Sequence, residues 1–241
     1  ENGGVSEGAL VFVHSFLGAF GILDFDVSDV LDVLEGLVGK TGGLIFPTYN
    51  YSFFDGAVVN PFDMESQVGI LTETARKRPE YTTIPHPVYS HVVWGARAEK
   101  AINKTLHEGS AFGVGSVFHF MYQEKADICF FGTPWESCTF VHYIEESIGV
   151  PYRFTKEFFG AVTDGTCCRP ACIRVYSRDL SLDPQLCLGA IKSRMEKLGL
   201  VKNVEFGRGM VSLVNSSDLF REVKTCLRDD AYALVTLGNK S

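Results

Sequence analysis

The chain alternates between short unbroken apolar runs and stretches with helical spacing, each closed by glycine or proline. Residues 9–13 are apolar throughout, the pattern of a strand buried on both faces. A loop rich in serine and glycine follows, from His14 to Gly21. Asp26 then opens an amphipathic helix with Val30, Leu31, Val33, Leu34, Leu37 and Val38 on its apolar face, and Lys40, Gly42 and Gly43 end it. Residues 44–46 form a second apolar run, stopped at Pro47. This beginning predicts a parallel βαβ unit with a right-handed crossover.

Further along, residues 50–66 are aromatic and irregular, long for a plain connection. Residues 69–78 predict a short helix with Ile70, Leu71 and Ala75 inward, and residues 85–94 a turn running into a strand. Residues 96–106 read as a helix, and a glycine loop at 111–116 enters another over 117–122. Residues 126–132 are a buried strand ending in glycine. Ser137 or Thr139 then reads as the N-cap of a helix. The remainder predicts antiparallel strands within 158–178, a helix over about 183–198, a hairpin or bent strand at 204–214, and a last helix capped by Ser217 and Asp218. The sum is an α/β protein with a mixed central sheet, helices on both faces and a smaller antiparallel β/α C-terminal part. Residues 1–155 form the expected first part, and residues 156–241 a smaller C-terminal α+β part.

Composition narrows the classes. The chain has 241 residues, 46% of them hydrophobic, enough for a sizeable core. A net charge of −7 does not suit phosphate backbones or anionic membranes, and would suit a cationic substrate. No apolar run reaches the roughly 18 residues of a membrane span. The first residue is Glu1 rather than Met, and nothing at this start reads as a signal peptide; a missing native N-terminal piece stays open. Seven cysteines, several in apolar runs, point to a reducing cytoplasm and buried thiols, the cluster Cys167, Cys168 and Cys172 included. No metal site is expected, because no spacing matches one.

The strongest chemistry lies in the predicted helix after Thr139. His142, Glu145 and Glu146 fall at i, i+3 and i+4, so a carboxylate can orient the imidazole as a general base. Which acid does so, Glu136 included, stays open. The plain alternative is a solvated amphipathic helix with an incidental ion pair.

Several motifs recur together: Val13-His14-Ser15; the Gly43 to Tyr49 strand end; Phe62-Asp63 followed by Gly69-x-Leu71-x-Glu73-x-x-Arg76; His86-Pro87-x-x-Ser90; Phe112-Gly113-x-Gly115-Ser116; and Thr139-x-x-His142-x-x-Glu145. In this order, over residues 10 to 155, they resemble the aminoglycoside 3-N-acetyltransferase family. The resemblance implies a mixed α/β protein that transfers acetyl from acetyl-CoA to a small-molecule amine, an aminoglycoside or another amino sugar. It implies His142 as base, Glu145 as its orienting partner, and Glu136 where the family commonly has Asp. It places His14, Ser15, Phe16, Leu17, Thr48, Val68, Gly69, Ile70, Leu71 and Ser90 along the CoA arm. Tyr49, Asp55, Asp63 and His86 fall to the acceptor. The loop after Ser15 departs from the family, with Phe16, Gly18 and Ala19 where hydroxyls are usual. Direct transfer is expected, with an acyl-Cys138 route as its rival. Other readings are a family member that binds CoA or a sugar without turnover, and a metal-dependent hydrolase using His142, Glu145 and His86. The oligomeric state, a homodimer included, stays open.

Overall fold

Strand β1 (Leu10–Ser15) stands inside the central sheet, which is why its side chains are apolar on both sides. Leu10 and Phe12 enter one hydrophobic cluster, while Val11 and Val13 enter the other. The computed structural model describes residues 4–21, 26–105 and 109–238. Helix α1 (Val27–Val38) is capped by Asp26, whose side chain accepts from the Ser28 N–H at 3.1 Å, and leads into β2 (Gly43–Pro47), parallel to β1. The βαβ beginning is therefore present. Val33 is 61% exposed, so the buried face of α1 is Val30, Leu31, Leu34 and Val38.

A two-residue strand β3 (Val58–Val59) interrupts the aromatic loop. Then come α2 (Ile70–Lys77), β4 (Thr82–Ile84), β5 (His91–Trp94) and α3 (Ala96–Lys104). Ile70, expected inward, is exposed, whereas Leu71 and Ala75 are buried. Leu106, the expected end of α3, lies outside the described residues. Helix α4 (Val117–Gln123) precedes β6 (Asp127–Phe131), which pairs parallel with β1. Helix α5 (Phe140–Ile148) follows. Thr139 holds its N-cap position but makes no capping bond, and the Ser137 hydroxyl donates to the Pro134 carbonyl at 2.7 Å instead.

The antiparallel pair β7 (Arg153–Thr163) and β8 (Cys168–Arg178) forms a long hairpin, with β3 on its edge. Cys167, Cys168 and Cys172 are exposed on it, not buried, and Cys187 is exposed as well. The expected helix over 183–198 begins only at α6 (Gly189–Lys197). Ahead of it, β9 (Pro184–Leu186) pairs with β12 (Val235–Leu237), and that pairing overrides helical propensity. The hairpin of β10 (Val201–Phe206) and β11 (Gly209–Asn215) joins the main sheet beside β6, before α7 (Ser216–Asp229). Asn215, rather than Ser217 or Asp218, caps α7.

The main sheet runs β10-β11-β6-β1-β2-β5-β4, parallel across β6, β1 and β2 and antiparallel at its flanks. Helices α1 and α2 pack on the Val11 side; α3, α4, α5, α6 and α7 contribute to the Leu10 side. Among the described residues no helix is long and apolar enough to cross a membrane.

Gly132 ends β6 with φ +73°, and a Cβ there would stand 2.7 Å from the Phe16 carbonyl oxygen. The loops leaving β1 and β6 touch at this point, which sets their shared edge. Gly132→Ala is expected to lower unfolding free energy by about 1–3 kcal/mol, read as the shift in chemical-denaturation midpoint at constant slope.

Candidate active site

Helix α5 buries Phe140, Val141, Tyr143 and Ile144, and with them a carboxylate, Glu145, at 0% exposure. An unpaired buried carboxylate is expensive, so its partners decide whether it stays ionised. Glu145 Oε2 lies 2.7 Å from His142 Nδ1, and Oε1 accepts from the Tyr152 hydroxyl at 2.9 Å. Arg153 Nε lies 2.8 Å from Oε2 as an ion pair, at an angle outside hydrogen-bond geometry. Burial alone would raise the Glu145 carboxyl. The His142 hydrogen bond and charge, Arg153 and Tyr152 together hold it below the usual carboxylate range.

An ionised Glu145 accepts the proton of Nδ1, which leaves the lone pair on His142 Nε2. Burial is the largest influence on the His142 ring and lowers its pKa, and Arg153 lowers it further. Glu145 acts the other way and does not prevail, so its part is orientation more than added basicity. The ring is neutral at pH 7. Among the three candidate acids Glu145 is the one on His142. Glu146 turns away to accept from the Ser110 hydroxyl at 2.8 Å, and Glu136 accepts from the Leu188 N–H at 3.1 Å.

His142 borders two cavities. The smaller, about 340 Å³, includes His14, Ser15, Pro47, Tyr49, Val68, Thr133 and Thr139 in its wall. His14 and Ser15 close β1, Pro47 closes β2, and Thr133 follows β6. The cavity therefore opens at the carboxyl ends of three adjacent parallel strands, where open α/β sheets bind cofactors. Gly69, at φ +134°, brings the start of α2 against the Ser15 carbonyl. The larger cavity, about 800 Å³, lies along the β7–β8 hairpin, with Arg153, Lys156, Phe158, Tyr176 and Arg178 in its wall. Tyr89, Phe112, Glu136 and His142 belong to both.

Other sequence-predicted residues lie elsewhere. Phe16 and Ile70 are exposed and line neither cavity, while Leu17 and Leu71 are buried in the core beneath α1 and α2. Thr48 is buried, its N–H donating to the Ser90 carbonyl. The Ser90 hydroxyl donates to the His86 carbonyl at 2.7 Å, with the Pro61 carbonyl oxygen 3.2 Å away, and His86 Nδ1 accepts from the Val88 and Tyr89 N–H groups, so this pair staples a turn. Asp55 and Asp63 are exposed outside both cavities, and Asp63 lies 3.6 Å from Arg76. Tyr49 lines the smaller cavity rather than the larger. Cys138 lines it too, and burial pushes its thiol up to about 12, which disfavours the thiolate an acyl-cysteine route needs. Among the described residues no three His, Cys, Asp or Glu side chains converge as a metal site.

The model of the family described as aminoglycoside 3-N-acetyltransferase matches residues 12–228. The chain belongs to that family. Aminoglycoside 3-N-acetyltransferases are acyltransferases, so the resemblance carried by the ordered motifs is borne out. The chain is 27% identical to the SPbeta prophage-derived aminoglycoside N(3')-acetyltransferase-like protein YokD of Bacillus subtilis (strain 168), over 62% of this chain and 62% of that protein. The crystal structure of the aminoglycoside acetyltransferase AAC(3)-Xa superposes with a TM-score of 0.82 at 20% identity, covering 94% of this chain and 88% of that one. AAC-IIIb in binary complex with CoASH gives the same TM-score of 0.82 at 18% identity, covering 99% and 94%. At these identities the superpositions establish the α/β fold of this 3-N-acetyltransferase family member.

Tyr152 and Arg153 are functional candidates that the sequence reading missed. Their one signal was the turn at Gly149, Val150 and Pro151, which folds the chain back onto α5.

Two further histidines are neutral in the fold. Burial, with repulsion from His142, lowers His14 to about 3, and its Nε2 accepts from the Thr139 N–H at 3.3 Å. Burial likewise lowers His91 to about 3; its Nε2 lies 3.4 Å from the Tyr49 hydroxyl. A depressed histidine pKa means the unfolded chain binds protons that the folded chain refuses. Stability is therefore expected to fall as pH drops below about 6.5, by about 1.4 kcal/mol per pH unit for each of the two. Denaturation midpoints measured between pH 7 and pH 5 check this; a flat profile contradicts it.

Proposed function

We propose that this protein transfers acetyl from acetyl-CoA to a primary amine in a ternary complex, with His142 as the general base. The observation that carries this reading is His142's position in the wall of two cavities at once. A direct transfer needs two binding spaces that meet at one base, and here they do. The acetyl-CoA thioester belongs in the smaller cavity, over the ends of β6, β1 and β2. The acceptor belongs in the larger one, whose wall comes largely from residues after 153.

His142 Nε2 takes a proton from the acceptor amine as its nitrogen forms a bond to the acetyl carbon. The C–S bond then breaks, and the proton passes to the departing CoA thiolate, so the products are an amide and free CoA. Glu145 holds the ring through Nδ1. The oxyanion falls to backbone N–H groups at the turns that follow the strands beside the smaller cavity, where Ser15 and Thr133 line its wall. Glu136, beside both cavities, puts its charge next to the acceptor amine rather than on the imidazole.

Two measurements test this. His142→Ala is expected to lower the rate of CoA thiol release by about 10²–10⁴-fold while CoA affinity changes little; near-normal transfer by that variant rejects the assignment. Arg153→Gln removes a charge that lowers the His142 pKa, so the acidic limb of kcat/KM moves to higher pH. If Arg153 served packing alone, the rate would drop with the limb unmoved.

A further inference from the structure

The whole chain carries a net charge of −7, yet the wall of the larger cavity holds three cations, Arg153, Lys156 and Arg178, against two acids, Glu136 and Asp179. Arg153 and Arg178 stand directly opposite each other in the β7–β8 ladder. Like charges in that register repel. Glu145 offsets Arg153 from below, while Arg178, next to Asp179 in the chain, donates through Nη1 to the Pro184 carbonyl at 3.3 Å. The Lys156 ammonium sits 4.8 Å from the centre of the Phe158 ring. Glu136 is already partly spent on the Leu188 N–H, and Asp55 and Asp63 lie outside the cavity. The same wall is strongly aromatic, with Phe54, Tyr89, Phe112, Phe154, Phe158 and Tyr176.

A polycationic amino sugar entering this space would meet at least as many cations as carboxylates, without the excess of carboxylates that it needs. An anion beside Lys156 or Arg178 would instead gain a charge-assisted hydrogen bond, and a planar ring could stack on the aromatic wall. We infer that the acceptor is an amine that also carries a phosphate or carboxylate and a planar ring, of which a nucleotide-linked amino sugar is one form. This rests on the reading of the larger cavity as the acceptor side.

The test compares a uridine-diphosphate-linked amino sugar with an aminoglycoside, using wild-type protein and the Lys156→Glu/Arg178→Glu double variant. Both side chains are exposed, so the fold should survive, and Lys156→Gln/Arg178→Gln serves as the milder control. Wild-type KM is expected to be at least about tenfold lower for the nucleotide-linked amine. Charge reversal should raise that KM about tenfold or more, leave the KM for acetyl-CoA unchanged and improve the aminoglycoside. A lower wild-type KM for the aminoglycoside overturns the inference. So does a variant whose defect falls on acetyl-CoA, since the cavity would then be the donor's. If no amine is acetylated, the acetyl-transfer reading fails by itself, and calorimetry of the same sugar nucleotide still decides this inference. Binding that charge reversal weakens at least tenfold sustains it, and equal or absent binding in the wild type sinks it.

Discussion

A carboxylate with no access to water needs donors around it, and Glu145 recruits them from two places at once. His142 comes from its own helix, one turn back. Tyr152 and Arg153 come from beyond the turn that ends the helix. The need to satisfy one charge therefore ties α5 to the first residues of β7, and that junction is the wall between the two cavities. The same contacts fix the tautomer of His142. Burial and Arg153 press the imidazole toward neutrality while Glu145 opposes them, and the balance leaves the ring neutral at pH 7.

Two parts of the molecule meet at that wall with different physical demands. The smaller cavity is built from the ends of β1, β2 and β6, whose strands are buried on both faces. Changes there disturb the core. The larger cavity leans on the β7–β8 hairpin, much of which is exposed. Charge on that hairpin can change at little cost to the sheet, so on the proposed reading acceptor preference can vary while the donor site and base stay put.

What was legible in the sequence follows the range of the interactions concerned. β1, α1 and β2 could be read because an unbroken apolar run, an Asp26 cap and closing glycines are local signals, and the structure agrees with each. The pairing of His142 with Glu145 could be read because i, i+3 spacing on a helix is local as well. Arg153 could not, since it reaches Glu145 only after the chain reverses at Pro151. The segment at 183–198 failed for the same reason. Pro184 to Leu186 pair with a strand some fifty residues later, and no window of helical spacing contains that partner. Asp55 and Asp63 invited an acceptor role through the family resemblance and their charge, but both are exposed and line neither cavity.

The mismatch between overall and local charge has the same origin. A net charge of −7 describes the far field, which salt screens over about 8–10 Å. A ligand inside the larger cavity feels mainly the groups in the wall, and their sum depends on strand register. The register that sets Arg153 against Arg178 is a property of the folded hairpin, and Lys156 lines the same cavity. An acidic chain can therefore present a binding wall in which cations match or outnumber acids, and on the proposed reading the choice of acceptor follows the wall.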